Sequence, residues 1–209
     1  MTQSQPSALT SLTAPGKAAS DRLLDAMSSW RVRAAFLLIA VEIAEEVMIG
    51  QRPLDLLHPN SLVIIAMVLI GIGAAFRLAA LGCIRKNEEV ESRGVYSLCR
   101  HPLYFGSLLL LAGFLILMND WPLLGVALTY FIVFYVAAII REERFLSRKF
   151  PEAYAEFRAT TPALLPLGHF HPGRFSLARA MQRGGTHLFV AVAFLLIGIG
   201  VLGKVVYHQ

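Results

Sequence analysis

The residues best suited to chemistry lie in two short clusters, Arg100-His101-Pro102-Leu103-Tyr104-Phe105-Gly106 and Arg141-Glu142-Glu143, each at the edge of a long apolar run. The first joins a guanidinium, an imidazole and a phenol around a proline. Pro102 suits the first turn of a helix, where its missing N–H would be an orphan anyway, so a helix is expected to start there with its free N–H groups at the aqueous edge. Such an end attracts anions. Tyr96, upstream, and Tyr104 offer aromatic faces to a cation. Arginine pairs with carboxylates through charge-assisted bonds, and the two glutamates accept from hydroxyl or amino groups. Together these residue types suit a small, polar, charged ligand at a membrane surface.

What must position them is a membrane bundle. Hydrophobic residues make up 56% of the 209 residues and the mean hydropathy is +0.60, above the roughly 45–50% apolar content of soluble domains. A bilayer core needs about 20 mostly apolar residues per helix. Five windows qualify: Val32–Met48, Ser61–Cys83, Tyr104–Met118, Trp121–Ile140 and His187–Val206. The third is short, so it and the fourth are expected to form a hairpin turned at Asn119-Asp120. The expected fold class is therefore all-α, a polytopic membrane helical bundle of about five transmembrane helices with one cytosolic amphipathic helix.

The pI near 9.5 does not point to nucleic acid, because the basic residues are distributed by side. Four lie in the tail up to Arg33, four in the 84–103 loop and eight in the 141–186 segment, so sixteen of nineteen share one side of an alternating bundle, against Arg52 on the other. By the positive-inside rule the N-terminus is expected in the cytosol and the C-terminus on the opposite side. Residues 1–30 read as a cytosolic tail, disordered for want of apolar residues, and 31–209 as a single membrane domain. No signal peptide is expected, since the first apolar run lacks a small-residue cleavage site. Cys83 and Cys99 fall on the side where thiols stay reduced.

Along the chain, Glu42, Glu45 and Glu46 share one face of the first span, and the last two lie ~6–8 Å from its outer end, within reach of water. Gly71, Ala75 and Ala79 form a small-residue stripe on which another helix is expected to approach. Arg77 lies ~9 Å inside the cytosolic end, either as a snorkelling anchor or paired with Glu142 or Glu143. No breaker separates the fourth span from Pro151, so one helix continues past Ile140. Beyond it Leu146, Phe150, Tyr154 and Phe157 make an apolar stripe expected to lie on the membrane and roof the ligand, ending before Pro162 and Pro166. Gly198-Ile199-Gly200-Val201-Leu202-Gly203 spells a dinucleotide motif inside an apolar run, which is the wrong context for one. His169 and His171 read as loop histidines, and no catalytic triad or P-loop spacing occurs.

Gly94-Val95-Tyr96, Arg100-His101-Pro102-Leu103-Tyr104-Phe105-Gly106, Glu142-Glu143-x-x-Leu146-x-x-x-Phe150 and Tyr154-x-x-Phe157, closed by Pro162 and Pro166, resemble the isoprenylcysteine carboxyl methyltransferase family, whose pattern phospholipid N-methyltransferases share. The resemblance covers about residues 77–166. It implies a membrane enzyme that uses S-adenosylmethionine, held at the cytosolic face by a strand-like lead-in at Val90, then Tyr96, His101, Pro102, Leu103 and Tyr104, with Glu142 and Glu143 across from them. On this reading Arg100 and Glu142 take the catalytic roles, Arg77 and Arg141 face the substrate, and no metal is needed. The acceptor is expected to be a lipidic small molecule entering from the bilayer. This chain departs from the family pattern with Glu88 in place of a histidine, Glu91 at an apolar position, Pro151 in place of a glycine and Phe157 in place of a tyrosine. Two alternatives stay open. Membrane NADPH-dependent sterol or enone reductases resemble the chain at H-P-x-Y-x-G, though Ser107 stands where they commonly have an acid. The other is a non-enzymatic helical membrane protein.

Overall fold

The structure, a computed structural model, describes residues 53–84 and 89–207, the side chains as far as residue 200. The expected first span with Glu42, Glu45 and Glu46, the N-terminal tail and Glu88 lie outside the described residues. All regular elements among the described residues are helical: α1 (Ser61–Cys83), a 3₁₀ turn (Val95–Ser97), α2 (Pro102–Met118), α3 (Trp121–Lys149), α4 (Pro151–Thr160), α5 (Leu177–Ala180) and α6 (Thr186–Tyr207), the last two joined by a wide turn at Met181–Gly185. The bundle is all-α, as expected. Among the described residues, three stretches, Ser61–Cys83, Trp121–Lys149 and Leu177–Gly200, are long and apolar enough to cross a membrane, and Pro102–Met118 is a shorter apolar helix. The glycine motif at Gly198 lies inside α6.

Each boundary follows from a local signal. Asn60 caps α1 by accepting from the Val63 N–H at 3.0 Å, and Pro102 occupies the first turn of α2, which leaves two of the orphan donors of a helix start answered or absent. Asn119 takes the left-handed conformation (φ 60°), a geometry that asparagine tolerates better than most residues. Asp120 then caps α3 through the Leu123 N–H at 2.8 Å, which makes the expected hairpin. The carbonyls at the end of α1 are satisfied from further along the chain. Arg179 Nη1 donates to Gly82 O at 2.9 Å and Arg183 Nη1 to Ile84 O at 2.8 Å, placing cations where the helix dipole favours them.

The closest helix pair is α1 with α2, and its contact corrects the expected stripe. A Cβ on Gly71 would meet nothing within 4 Å, whereas one on Gly73 would lie 2.7 Å from Gly106 O and one on Gly106 2.7 Å from Gly73 O. The backbones touch through Gly73 and Gly106, one helical face away from Gly71, whose side of α1 is exposed along with Ala75. Towards the Asn119 end, Val63, Ala66 and Ile70 of α1 pack with Leu117 and Ile199, with Leu54 and Leu56 against them.

The other end holds a second core of Ala80, Cys83, Tyr96, Tyr154 and Phe157. This corrects the reading of α4. Its apolar stripe turns inward onto Tyr96 and the end of α1, with Tyr154 1% and Phe157 6% exposed, so it covers protein and not bilayer. An aromatic lead-in loop at hand gave that stripe a partner inside the chain. The lead-in is no strand either. It is loop and 3₁₀ turn, with one isolated bridge between Gly94 and His171.

Candidate active site

Both sequence clusters come together at this second end, which is also where the basic loops gather. The segment after α4 runs beside the start of α2: Arg100 N–H donates to Pro162 O at 2.9 Å, His101 N–H to Ala163 O at 3.1 Å, and Gly168 N–H to Leu98 O at 2.9 Å. These bonds hold the Arg100-His101-Pro102 turn against the ends of α3 and α4.

Arg100 is bound on every side. Its Nε and Nη2 donate to Glu143 Oε1 at 3.0 and 2.8 Å, and Nη1 donates to Thr161 O at 2.6 Å and Arg158 O at 3.1 Å. One side chain thus ties α3 to the last turn of α4. His101 is buried, with Nε2 3.3 Å from the same Glu143 oxygen and Nδ1 3.8 Å from Glu142 Oε2. The two glutamates, adjacent on a helix and so about 100° apart, have different surroundings. Glu143 turns in to Arg100 and His101, whereas the Glu142 side chain is 42% exposed.

Tyr104 packs at 5.7 Å, ring centre to ring centre, from His101 and edge-on at 5.3 Å to Tyr135 of α3, which stacks at 4.0 Å on Phe131. Tyr135 was missed in the sequence, although it lies seven residues before Glu142 on the same helix, a spacing that returns to one face. Pro102 is fully buried, and Leu103 packs on the second core. Tyr96 is buried too. Burial first, and the nearby Glu142 carboxylate second, push its phenol well above the ordinary range. Burial alone raises the Cys99 thiol to about 11, which keeps it protonated and inert.

The expected pairing of Arg77 is corrected. Its Nη1 donates to Ser107 Oγ and, at 3.5 Å, to Leu103 O, both on α2. Glu143 is already occupied by Arg100, and the Gly73–Gly106 crossing directs Arg77 onto the first turns of α2. Arg77 Nε is buried with no hydrogen-bond partner, as is the hydroxyl of Tyr154. Arg141 is exposed. Val90 packs on the second core, as Leu103 does, and lines a cavity of about 490 Å³ with Ser97, Phe157, Thr161 and His171; among the described residues, no three His, Cys, Asp or Glu side chains are grouped to hold a metal.

Comparison with known proteins bears on this arrangement. The sequence model of the phospholipid methyltransferase family matches residues 60–153, which contain both clusters and the α1–α2 crossing. The cobalt-zinc-cadmium resistance protein CzcN of Cupriavidus metallidurans is 32% identical over 160 residues, covering 76% of this chain and 68% of that protein. The nickel-cobalt-cadmium resistance protein NccN of Alcaligenes xylosoxydans xylosoxydans is 35% identical over 82 residues, covering 39% of this chain and 38% of that protein. No solved structure matches the chain.

Proposed function

The chain belongs to the phospholipid methyltransferase family, and from that premise we propose that it transfers a methyl group from S-adenosylmethionine to a lipidic acceptor at the cytosolic face of the membrane. The observation that carries the proposal is the pairing of an accessible carboxylate, Glu142, with the buried His101 imidazole beside the Tyr104–Tyr135 aromatic pair. That set fits the cofactor's groups. Aromatic faces suit a sulfonium cation, and a carboxylate suits ribose hydroxyls or an amino group. Once bound, the cofactor supplies an electrophilic methyl group, which leaves the protein mainly to position and exclude water.

In this reading the Tyr104 and Tyr135 rings face the sulfonium, Glu142 and His101 orient the polar end, and Tyr96, Pro102 and Leu103 close the wall behind them. Arg100 and Glu143 support this wall without touching the reacting atoms. Arg77, whose Nε lacks a protein partner, faces the acceptor from within the bundle, and Arg141 receives its polar head at the rim. The acceptor enters sideways from the bilayer, and the basic end of the bundle with the N-terminus faces the cytosol. The two relatives are named for resistance to metal ions, and a role for this chain in such resistance would belong to its methylated product.

Isothermal titration of the detergent-solubilised full chain tests the proposal, with S-adenosylmethionine and NADPH run side by side. Wild type is expected to bind the former. His101→Ala and Glu142→Gln should each bind it roughly fivefold or more weakly, having lost one hydrogen bond or charged contact. Equal affinity in all three would place the cofactor elsewhere, and binding of NADPH alone would make the protein a reductase.

A further inference from the structure

The connection between α4 and α5, residues 161–176, is fixed to the protein by its backbone. Gly168 N–H donates to Leu98 O at 2.9 Å, His171 O accepts from Gly94 N–H at 2.8 Å, and Ser176 N–H donates to Gly82 O at 3.2 Å. The fit is close, for a Cβ on Gly168 would collide with Ser97 O and one on Gly173 would lie 2.6 Å from Gly94 N. Yet Leu165, Leu167, Phe170, Phe175 and the adjoining Leu177 are each more than half exposed. Single exposed apolar residues are ordinary, but five between residues 165 and 177 on a pinned backbone make a surface that something covers.

The attachment points fix the depth of this surface. Leu98 stands four residues before the start of α2, and Gly82 lies in the last turn of α1, a stretch long and apolar enough to cross a membrane. The Phe175 ring packs where a Cβ on Gly82 would stand. The connection thus runs between two helix ends, at the level where hydrocarbon gives way to headgroups, and its apolar surface continues into the exposed Phe189 and Val190 of α6. A protein docking there would have to displace lipid already present at that level.

Charge selects the headgroup. No acidic residue occurs after Glu156. Arg179 and Arg183 cap the end of α1, whereas Arg93 and Arg174 are exposed and flank the contact of Gly94 with Gly173, which sets them side by side. Glu91, the carboxylate nearest them along the chain, accepts from the Arg93 N–H at 3.2 Å. Guanidinium groups pair with phosphate oxygens through a planar fork of donors.

We infer that the 161–176 connection is a lipid-binding surface: its apolar side chains, with Leu177, seat in the leaflet at the basic end of the bundle, and Arg93 with Arg174 bind the phosphate of an anionic phospholipid. The stripe of α4 is turned inward, and the connection that follows it faces the lipid instead. Such seating is typical of amphipathic segments at an interface. The surface needs no bound cofactor.

The full chain in lipid nanodiscs, with a fluorophore on Leu167→Cys, tests both parts. Cys83 and Cys99 are buried and stay unlabelled. Phosphatidylcholine spin-labelled near its headgroup should quench the fluorophore, and aqueous iodide should not. Spin-labelled phosphatidylglycerol should reach the same quenching at a roughly fivefold lower mole fraction. That advantage should vanish in about 1 M salt and in the double variant Arg93→Gln/Arg174→Gln, which phosphatidylcholine should still quench. Quenching by iodide in place of lipid would make the connection a water-facing loop. Protection from both quenchers, with two copies in each nanodisc, would give the surface to a second copy, and either result overturns the inference. Equal quenching by the two phospholipids in wild type, or a preference unchanged in the double variant, overturns the roles of Arg93 and Arg174. The salt dependence of wild type tests the charge without relying on any arginine variant.

Discussion

Two neighbouring contacts at the start of α2 are held by opposite means. Where the middle of α1 crosses the second turn of α2, Gly73 and Gly106 bring backbone against backbone, so that a single added methyl at either would lie 2.7 Å from a carbonyl oxygen. Where the chain leaves the apolar zone, the Arg100 turn is held by charge and hydrogen bonds, four of them from a single guanidinium. The first region is intolerant of added atoms. The second is intolerant of lost ones. A lipid-embedded contact gains nothing from excluding water, since lipid tails are as apolar as leucine, and so depends on close packing. A polar turn at the interface must satisfy its backbone groups one by one.

Removing the guanidinium should therefore have the largest effect. Arg100→Met leaves Glu143 without its cation and takes the donor from the carbonyls of Arg158 and Thr161. With both side chains mostly buried, at 10% and 16% exposure, the expected loss is about 3 kcal/mol. Arg100→Lys should recover only part of it, because one ammonium cannot repeat the fork. Thermal unfolding in detergent measures both. A change for Arg100→Met no larger than that of a surface arginine would show that backbone pairing with Pro162 and Ala163 suffices, and the contrast between the two contacts would then be lost.

Next in size is the packed crossing. Gly106→Ala should cost about 2 kcal/mol by overpacking, since besides Arg77 Cγ the obstructing atoms are the backbone O of Gly73 and N of Arg77, which cannot swing aside. Gly71→Ala is the paired control, and there the expected change is within about 0.5 kcal/mol, with any gain coming from helix propensity. The same melting experiment compares them. If Gly71→Ala proves the more damaging, the helices meet on the stripe that spacing alone suggests.

That pair of glycines also marks where the sequence could be read and where it could not. Long apolar runs, the proline start at Pro102 and the Asn119-Asp120 turn are local signals, and all reappear as the boundaries of α1, α2 and α3. The choice between Gly71 and Gly73 is not local, because it depends on the angle at which two helices cross. The same holds for α4. Periodicity located the stripe of Tyr154 and Phe157, but what covers it is a loop more than fifty residues upstream. At the candidate site the residue types of both clusters were legible, and their partners were not. Arg77 and Glu143 are each bound to groups nearer than the other, and the division between an inward Glu143 and an open Glu142 appears only once Arg100 is in place.

The smallest effect concerns Tyr154, a buried group at the polar end whose hydroxyl the network leaves out. Tyr154 is 1% exposed, and its hydroxyl has no hydrogen-bond partner. Burial first, and then the nearby Glu143 carboxylate, raise its phenol well above the ordinary range. At neutral pH, Tyr154→Phe removes an unsatisfied polar atom at almost constant volume and should stabilise the protein by about 1 kcal/mol. In alkali the sign is set by linkage. A phenol whose folded value lies above its unfolded value of about 10 contributes stability that is complete below that pH and is lost as the pH rises past it. Wild type should therefore lose stability progressively above about pH 10, and Tyr154→Phe should lose less, the remaining slope coming from Tyr96, which is raised in the same way. Melting curves of the two proteins at pH 7 and across pH 9–11 check this. A destabilised variant at pH 7 would mean that the hydroxyl bonds Glu143 in solution, making Tyr154 a further donor to the oxygen pair that fixes His101.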